Sequence, residues 1–285
     1  MNSQKKYPQK LSLEFFPPRT PAGVDKLKTV ITELGGMAPE YMSVTYGAGG
    51  TTQEKTLETV SYIQQHTPFD AAPHLTCIGA THESVLELLN TYEALGIKRI
   101  VALRGDLPSG MMDPGEFKYA SDLIAFIKQE KGDTFHLEVA AYPETHPQAR
   151  NCEVGIKWFK HKVEQGADSA ITQYFYNVDS YLYFIDNCER HGIDLPIIPG
   201  VMPITNYENL VRFSAGCGAE VPRWLKCRLE SFEDDKESLL AFGQDVVTEM
   251  CQRLLDAGAP GIHFYSMNQS QPTLDIAKSL TFKNA

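Results

Sequence analysis

The feature that most constrains this chain is an alternation that runs its whole length. Short apolar runs are separated by longer stretches in which apolar residues recur at three- and four-residue steps. Eight runs read as strands: Lys10 to Phe15, Tyr41 to Thr45, Ala71 to Cys77, Arg99 to Arg104, His136 to Tyr142, Ser169 to Gln173, Pro196 to Val201 and Gly261 to Tyr265. Several are β-branched or aromatic and bounded by Gly or Pro, which suits strands buried on both faces. The stretches between them read as amphipathic helices, among them Val24 to Leu34, Gln53 to Gln65, Glu83 to Leu95 and Lys236 to Ala257. Gly96, Gly166, Gly192 and Gly258 follow helices, where a left-handed C-terminal turn favours glycine. Eight successive strand-helix units predict an α/β protein, a single (β/α)8 TIM barrel spanning 1–285 with a short polar extension over 1–9; a doubly wound open sheet is the runner-up.

Composition narrows the function classes. A chain of 285 residues that is 42% hydrophobic and 22% charged can bury one large core. Its formal net charge of -10 offers no global basic field for nucleic acid or an anionic membrane, so any phosphate must be met by a few local cations. Neither a signal-peptide pattern nor an apolar run of membrane-spanning length is present, which predicts a cytoplasmic location. The six cysteines are scattered without CxxC or zinc spacing, so they read as reduced thiols and no metal is expected. The stretch from Asp106 to Phe117, rich in Gly, Pro and Met, reads as a long loop over a barrel mouth.

In a parallel barrel the chemistry sits at the carboxyl ends of the strands. Those ends offer Glu14, Thr45, His74, Arg104 with Asp106, Tyr142, Gln173, the segment Pro199 to Pro203, and His263 with Tyr265. Glu14 follows LSL and precedes FFPPR, a place where a carboxylate is costly without a partner, so it is a candidate acid or one half of a structural ion pair. Taken alone, His74 reads as a hydrogen-bonded structural histidine ahead of a base, and Asp106 as a loop or capping aspartate. No GxGxxG joins a strand to a helix, and Gly47, Gly49 and Gly50 in TYGAGGTT are a weak substitute. The absence of GxSxG and HExxH removes the common hydrolase and zinc-protease readings.

The segments SLEFFPPRT, SVTYGAGG, PHLTCI, IVALRGDLP, KYASDL, AAYPETHP, ADSAITQYFY, IIPGVMPI and HFYSMN, in this order from about Leu11 to Asn268, resemble those of the methylenetetrahydrofolate reductase family, in its short bacterial, flavin-dependent form. The resemblance implies a barrel that holds FAD, is reduced by NADH or NADPH, and converts 5,10-methylenetetrahydrofolate to 5-methyltetrahydrofolate in one-carbon metabolism supplying methionine synthesis. It implies Glu14 as general acid, Gln173 as a folate-contacting residue that assists activation, and Asp106 as a group lying between flavin and folate. Thr45, Tyr46, Ala48, His74, Arg104, Gly105, Asp106, Tyr119, Ala120, Tyr142, His146, Ala149, His161 and Lys162 stand at flavin-contacting positions, with Arg104 and Lys162 the cations for the diphosphate. Asn209, Phe213, Met267 and Gln269 join Asp106 and Gln173 on the folate side. The chain departs from its bacterial relatives at Gly155 and Trp158, where they carry an aspartate and an asparagine, and at His161, Asn209 and Gln269.

Opening the folate ring needs a proton on the departing N10 nitrogen, which requires a general acid, and one shared face for nicotinamide and folate implies ping-pong kinetics. The expected partners are these small molecules and, on family grounds, further copies of the chain. Two alternatives stay open: a flavin-independent reductase of the same folate, and a pterin- or folate-binding subunit of a methyl-transfer complex without redox activity.

Overall fold

The computed structural model describes residues 1–46, 50–105 and 115–283, with the backbone alone at 50–52. In chain order the elements are β1 (Lys10–Phe15), α1 (Pro21–Gly35), β2 (Tyr41–Val44), α2 (Gly50–His66), β3 (Asp70–Thr76), α3 (His82–Ala94), β4 (Arg99–Leu103), α4 (Ala120–Lys131), β5 (His136–Ala141) and α5 (Cys152–Glu164). They continue with β6 (Ser169–Thr172), α6 (Val178–Arg190), β7 (Ile197–Ile198), β8 (Gly200–Val201), α7 (Tyr207–Cys217), α8 (Arg223–Glu230), α9 (Lys236–Ala257), β9 (Gly261–Tyr265) and α10 (Gln271–Lys278). The strands join in the order β7-β6-β5-β4-β3-β2-β1-β9-β8. The two ends of that order, β7 and β8, are consecutive in the chain with Pro199 between them, so the sheet begins and ends on two pieces of one interrupted strand. This is the topology of a (β/α)8 barrel.

The seventh strand expected as one run from Pro196 to Val201 is therefore two short ones. Pro199 has no N–H for a ladder, and its carbonyl oxygen accepts from His263 N at 3.0 Å instead. Gly200 is packed so closely that a Cβ there would stand 2.1 Å from the Thr172 carbonyl oxygen and 2.7 Å from the Tyr265 ring. Elsewhere the strands follow the expected runs to within a residue, and Gly96, Gly166, Gly192 and Gly258 all have positive φ after their helices.

By internal contacts the chain groups into two compact units: Met1–Leu11 with Ala141–Trp158 and Ile171–Ala285, and Ser12–Ala140 with Phe159–Ala170. In the second unit the parallel register pairs Glu14 with Ser43, Ser43 with Ala72, His74 with Val101 and Val101 with Glu138. Because side chains alternate along a strand, Ser12, Glu14, Tyr41, Ser43, Ala72, His74, Arg99 and Glu138 share one face of this sheet. Leu13, Met42, Ala71, Leu75, Ile100 and Leu137 take the other face and are buried. In the first unit α9 supplies the largest helical contribution to the core, through Val247, Met250, Cys251, Leu254 and Leu255. Among the described residues no helix is long and apolar enough to cross a membrane.

Candidate active site

In the second unit the face described above carries Glu14 next to last in β1 and His74 near the end of β3. Their side chains meet, with His74 Nε2 3.2 Å from Glu14 Oε2. His74 is buried and Glu14 nearly so, its side chain 17% exposed. Glu14 thus stands beside an imidazole where sequence reasoning left open a structural Arg or Lys, although His74 Nε2 has no hydrogen-bond partner among the described residues. Thr45 N donates to Phe15 O at 2.9 Å and Thr45 O accepts from Thr56 Oγ1 at 3.0 Å, tying the chain after β2 to both neighbours. Tyr46 follows half-buried, its hydroxyl pKa raised by that burial.

Arg104 leaves the end of β4 with its Nε donating to Gly105 O at 3.3 Å. Gly105 has φ +85°, and a Cβ there would stand 3.1 Å from Thr76 Cβ, so this turn needs glycine. Tyr119 is exposed at the N-cap of α4, its N–H held by Asp122 Oδ2, and Ala120 opens the helix. Lys162 on α5 is half-buried: Nζ donates to the Ala140 carbonyl oxygen near the end of β5 and lies 5.5 Å from the Phe159 ring. Burial pushes its pKa down to about 8, and among the described residues no carboxylate pairs with it. His161, its neighbour, is exposed. Ala48 and Asp106 lie outside the described residues.

In the first unit Tyr142, just past β5, packs edge-on against His146 with ring centroids 4.3 Å apart. His146 Nδ1 accepts from Gln148 N and its carbonyl oxygen from Ala149 N, which folds this loop tightly ahead of α5. Gln173 continues β6: its N–H donates to Ala141 O at 2.8 Å, and its Oε1 accepts from Tyr174 N at 3.0 Å, which orients the amide. Gln173 shares a small pocket with Tyr142, Glu144, Tyr174 and Cys217. Glu144 was not foreseen from sequence. Its Oε2 accepts from Glu220 N at 2.8 Å, its buried Oε1 has no hydrogen-bond partner among the described residues, and burial raises its pKa.

On α7, Asn209 Oδ1 accepts from Arg212 Nη2 at 2.8 Å and the Arg212 guanidinium stands 5.0 Å from the half-buried Phe213 ring. After β9, Met267 and Asn268 both have φ +53°, a conformation non-glycine residues rarely adopt and one that clusters at functional loops. Gln269 closes that turn by donating its N–H to Ser266 O at 3.0 Å, its side chain exposed. Among the described residues no group of His, Cys, Asp and Glu is arranged to hold a metal ion.

A parallel (β/α)8 barrel with a carboxylate beside an imidazole near its C-terminal strand ends, and a half-buried lysine that meets no carboxylate among the described residues, is the architecture of the α/β-barrel enzymes. The particular family follows from comparison with known proteins. The chain belongs to the methylenetetrahydrofolate reductase family, whose model matches residues 2–281. It is 39% identical to the 5,10-methylenetetrahydrofolate reductases of Pectobacterium carotovorum and Escherichia coli, in each case over 95% of this chain, and over 89% and 90% of theirs. It is 36% identical to methylenetetrahydrofolate reductase (NADH) 1 of Arabidopsis thaliana over 94% of this chain and 48% of the plant protein. Among solved structures, a Clostridium thermocellum protein described as binding two copies of 5-methyl-5,6,7,8-tetrahydrofolic acid shares the fold with a TM-score of 0.67 at 17% identity, over 98% of this chain and 96% of that one.

Proposed function

We propose that the chain reduces 5,10-methylenetetrahydrofolate to 5-methyltetrahydrofolate with FAD as resident cofactor and NADH or NADPH as reductant. Methylenetetrahydrofolate reduction is the activity its family and bacterial relatives support. The flavin rests on one observation of this molecule: Lys162 is a half-buried lysine whose amine donates to a carbonyl oxygen and faces no carboxylate among the described residues, an arrangement that an anionic diphosphate would complete. When bound, FAD would take hydride from the nicotinamide in one half-reaction and give it to the folate methylene in the next.

The side chains then divide the remaining work. Glu14 holds the proton that N10 of the folate needs when the five-membered ring opens, and His74, whose Nε2 stands 3.2 Å from Glu14 Oε2, would help hold the cofactor beside it. Gln173, its amide oriented by the Tyr174 N–H, positions the folate, and Phe213 supplies an apolar surface for the ligand. Asp106 and Arg104 place opposite charges near the reacting rings, the first favouring the cationic iminium and the second the diphosphate. Thr45, Tyr46, Gly105, Tyr119, Ala120, Tyr142, His146 and Ala149 contribute shape and hydrogen bonds to the cofactor; Asn209, Met267 and Gln269 do so for the folate.

An absorbance spectrum taken before and after anaerobic NADH tests the reading. Flavin bands that bleach on reduction are expected, whereas an active protein that stays colourless and gains nothing from added FAD would establish the flavin-independent alternative. Lys162→Ala should weaken FAD binding by about 10- to 100-fold, the size expected for one charge-assisted contact. Because the free amine has its pKa near 8 and a bound anion raises it, FAD affinity should be full below that pH and decline above it. The alanine variant should lose the decline, and unchanged flavin affinity would remove Lys162 from the diphosphate site.

A further inference from the structure

Two strand-end features have no part in the proposed function: the segment Pro199 to Pro203, where the seventh strand breaks, and Tyr265 at the end of β9. The structure joins them. β8 pairs with β9 in parallel, Gly200 beside His263 and Val201 beside Phe264, and the broken strand lies between β9 and β6 in the sheet order. Tyr265 reaches past that strand: its hydroxyl donates to the carbonyl oxygen of Thr172, the last residue of β6, at 2.7 Å. The ring passes over Gly200, where a Cβ would stand 2.7 Å from Tyr265 Cε2 and 2.8 Å from its hydroxyl oxygen, so a larger residue would push the ring aside. Gly200 N in turn donates to Thr172 Oγ1 at 2.9 Å.

These contacts fix the peptide that leads into Gln173. Its carbonyl end accepts from the Tyr265 hydroxyl, and its N–H end donates to Ala141 O at 2.8 Å. A peptide unit is planar, so holding it at both ends sets the direction in which the Gln173 side chain leaves the backbone. The next residue extends the hold. Tyr174 N donates to Gln173 Oε1 at 3.0 Å, and the buried Tyr174 ring lies edge-on to Tyr265 with centroids 6.3 Å apart and planes 74° apart. The Tyr174 hydroxyl meets Ser214 Oγ on α7 at 3.1 Å, one residue after Phe213. A tyrosine hydroxyl in the interior needs an acceptor, and this one finds it across a neighbouring strand, on the residue before Gln173.

We infer that Tyr265 is a positioning residue for the reaction: it holds the Thr172–Gln173 peptide so that the Gln173 amide meets the folate in one orientation. The inference rests on the proposed role of Gln173. Placement at this level has kinetic weight, since a displacement of about 1 Å in a contact group can cost roughly 100-fold in rate.

Tyr265→Phe keeps the ring and removes the hydroxyl alone. Reoxidation of the reduced flavin by saturating 5,10-methylenetetrahydrofolate, followed by stopped flow, should slow about tenfold, with flavin reduction by NADH near native and only a small drop in thermal midpoint. In a Gln173→Ala background the same substitution should add almost nothing, because the side chain through which Tyr265 acts is gone. A merely structural tyrosine would slow both backgrounds by the same factor, or both half-reactions alike, and either result would overturn the inference, as would native folate reduction in Tyr265→Phe. The hold is also read without substrate: exchange of the Gln173 backbone amide hydrogen should quicken about fivefold in Tyr265→Phe, and unchanged exchange would count against any hold on this peptide. A native chain that reduces no folate would sink the functional reading, and the exchange measurement then decides the hold on Gln173 by itself.

Discussion

Two carboxylates of the same unit, Glu14 and Glu138, each have a histidine neighbour on the same face of one sheet, and their settings differ. Glu14 lies at the C-terminal end of β1 against the His74 imidazole at 3.2 Å, with its side chain 17% exposed. Glu138 is fully buried in β5. There it is bound to the Arg99 guanidinium, with His136 Nε2 3.6 Å away, while Arg99 also reaches Glu40 at 3.3 Å and stacks over the Tyr41 ring at 4.4 Å. Arg99, His136 and Tyr41 each open their strand, so this network gathers at the N-terminal ends. A guanidinium keeps its charge at every working pH and offers Glu138 a permanent counterion, whereas the neighbour of Glu14 is an imidazole. The first arrangement suits a structural anchor, and the second stands at the strand ends where a parallel barrel carries its chemistry, the role proposed above for Glu14.

The largest expected effect tests the chemical member. Glu14→Gln keeps shape but cannot donate a carboxylic proton, so stopped-flow traces should show folate reduction slowed about 100- to 10,000-fold. Flavin reduction by nicotinamide and the thermal midpoint should stay near native. Equal damage to both half-reactions would make Glu14 a structural residue like Glu138 and erase the contrast.

Glu138→Gln should do the reverse. It strips the buried Arg99 of its main counterion, a loss of roughly 3–5 kcal/mol of stability read as a drop in denaturation midpoint, with activity per folded molecule close to native. The double variant Arg99→Met, Glu138→Leu should recover much of that stability, because it leaves no buried charge unmatched. A catalytic defect in folded Glu138→Gln protein would show that the two ends are not separate in function.

The smallest effect concerns the histidine of the anchor. Burial, and then the Arg99 charge, depress the His136 pKa below its ordinary 6.5, while its Nε2 lies 2.6 Å from Ser169 Oγ. The unfolded chain therefore binds this proton more readily than the folded one, so the contribution is present above pH 6.5 and is lost as pH falls through the depressed value. His136→Gln should flatten the fall of the thermal midpoint on the acid side. An unchanged slope would place the acid sensitivity elsewhere.

Legibility followed the range of the interaction that each feature depends on. Strands β1 and β9 begin and end where their apolar runs do, because burial on both faces is written directly into β-branched and aromatic residues between Gly and Pro. The candidate acid was legible for the same local reason, a carboxylate placed at the end of an apolar run. The anchor was not: Arg99, Glu138 and Glu40 are 39 and 59 residues apart along the chain, and only parallel register brings them together. Nor was α8, a short helix with just Leu225 and Leu229 buried, too small to show a periodic signal.

The sequence by itself determined the barrel class, the family and the residues at the C-terminal strand ends, since each of these depends on local pattern or on ordered short segments. Only the tertiary structure decided that Glu14 stands beside His74, that the half-buried Lys162 points its amine at a carbonyl, that the seventh strand breaks at Pro199, and that Tyr142, His146 and Trp158 stand in a ladder. Side-chain pairing, desolvation and close backbone approach depend on distances between segments far apart in the chain. Those distances are set when the strands choose their register and the core closes around them.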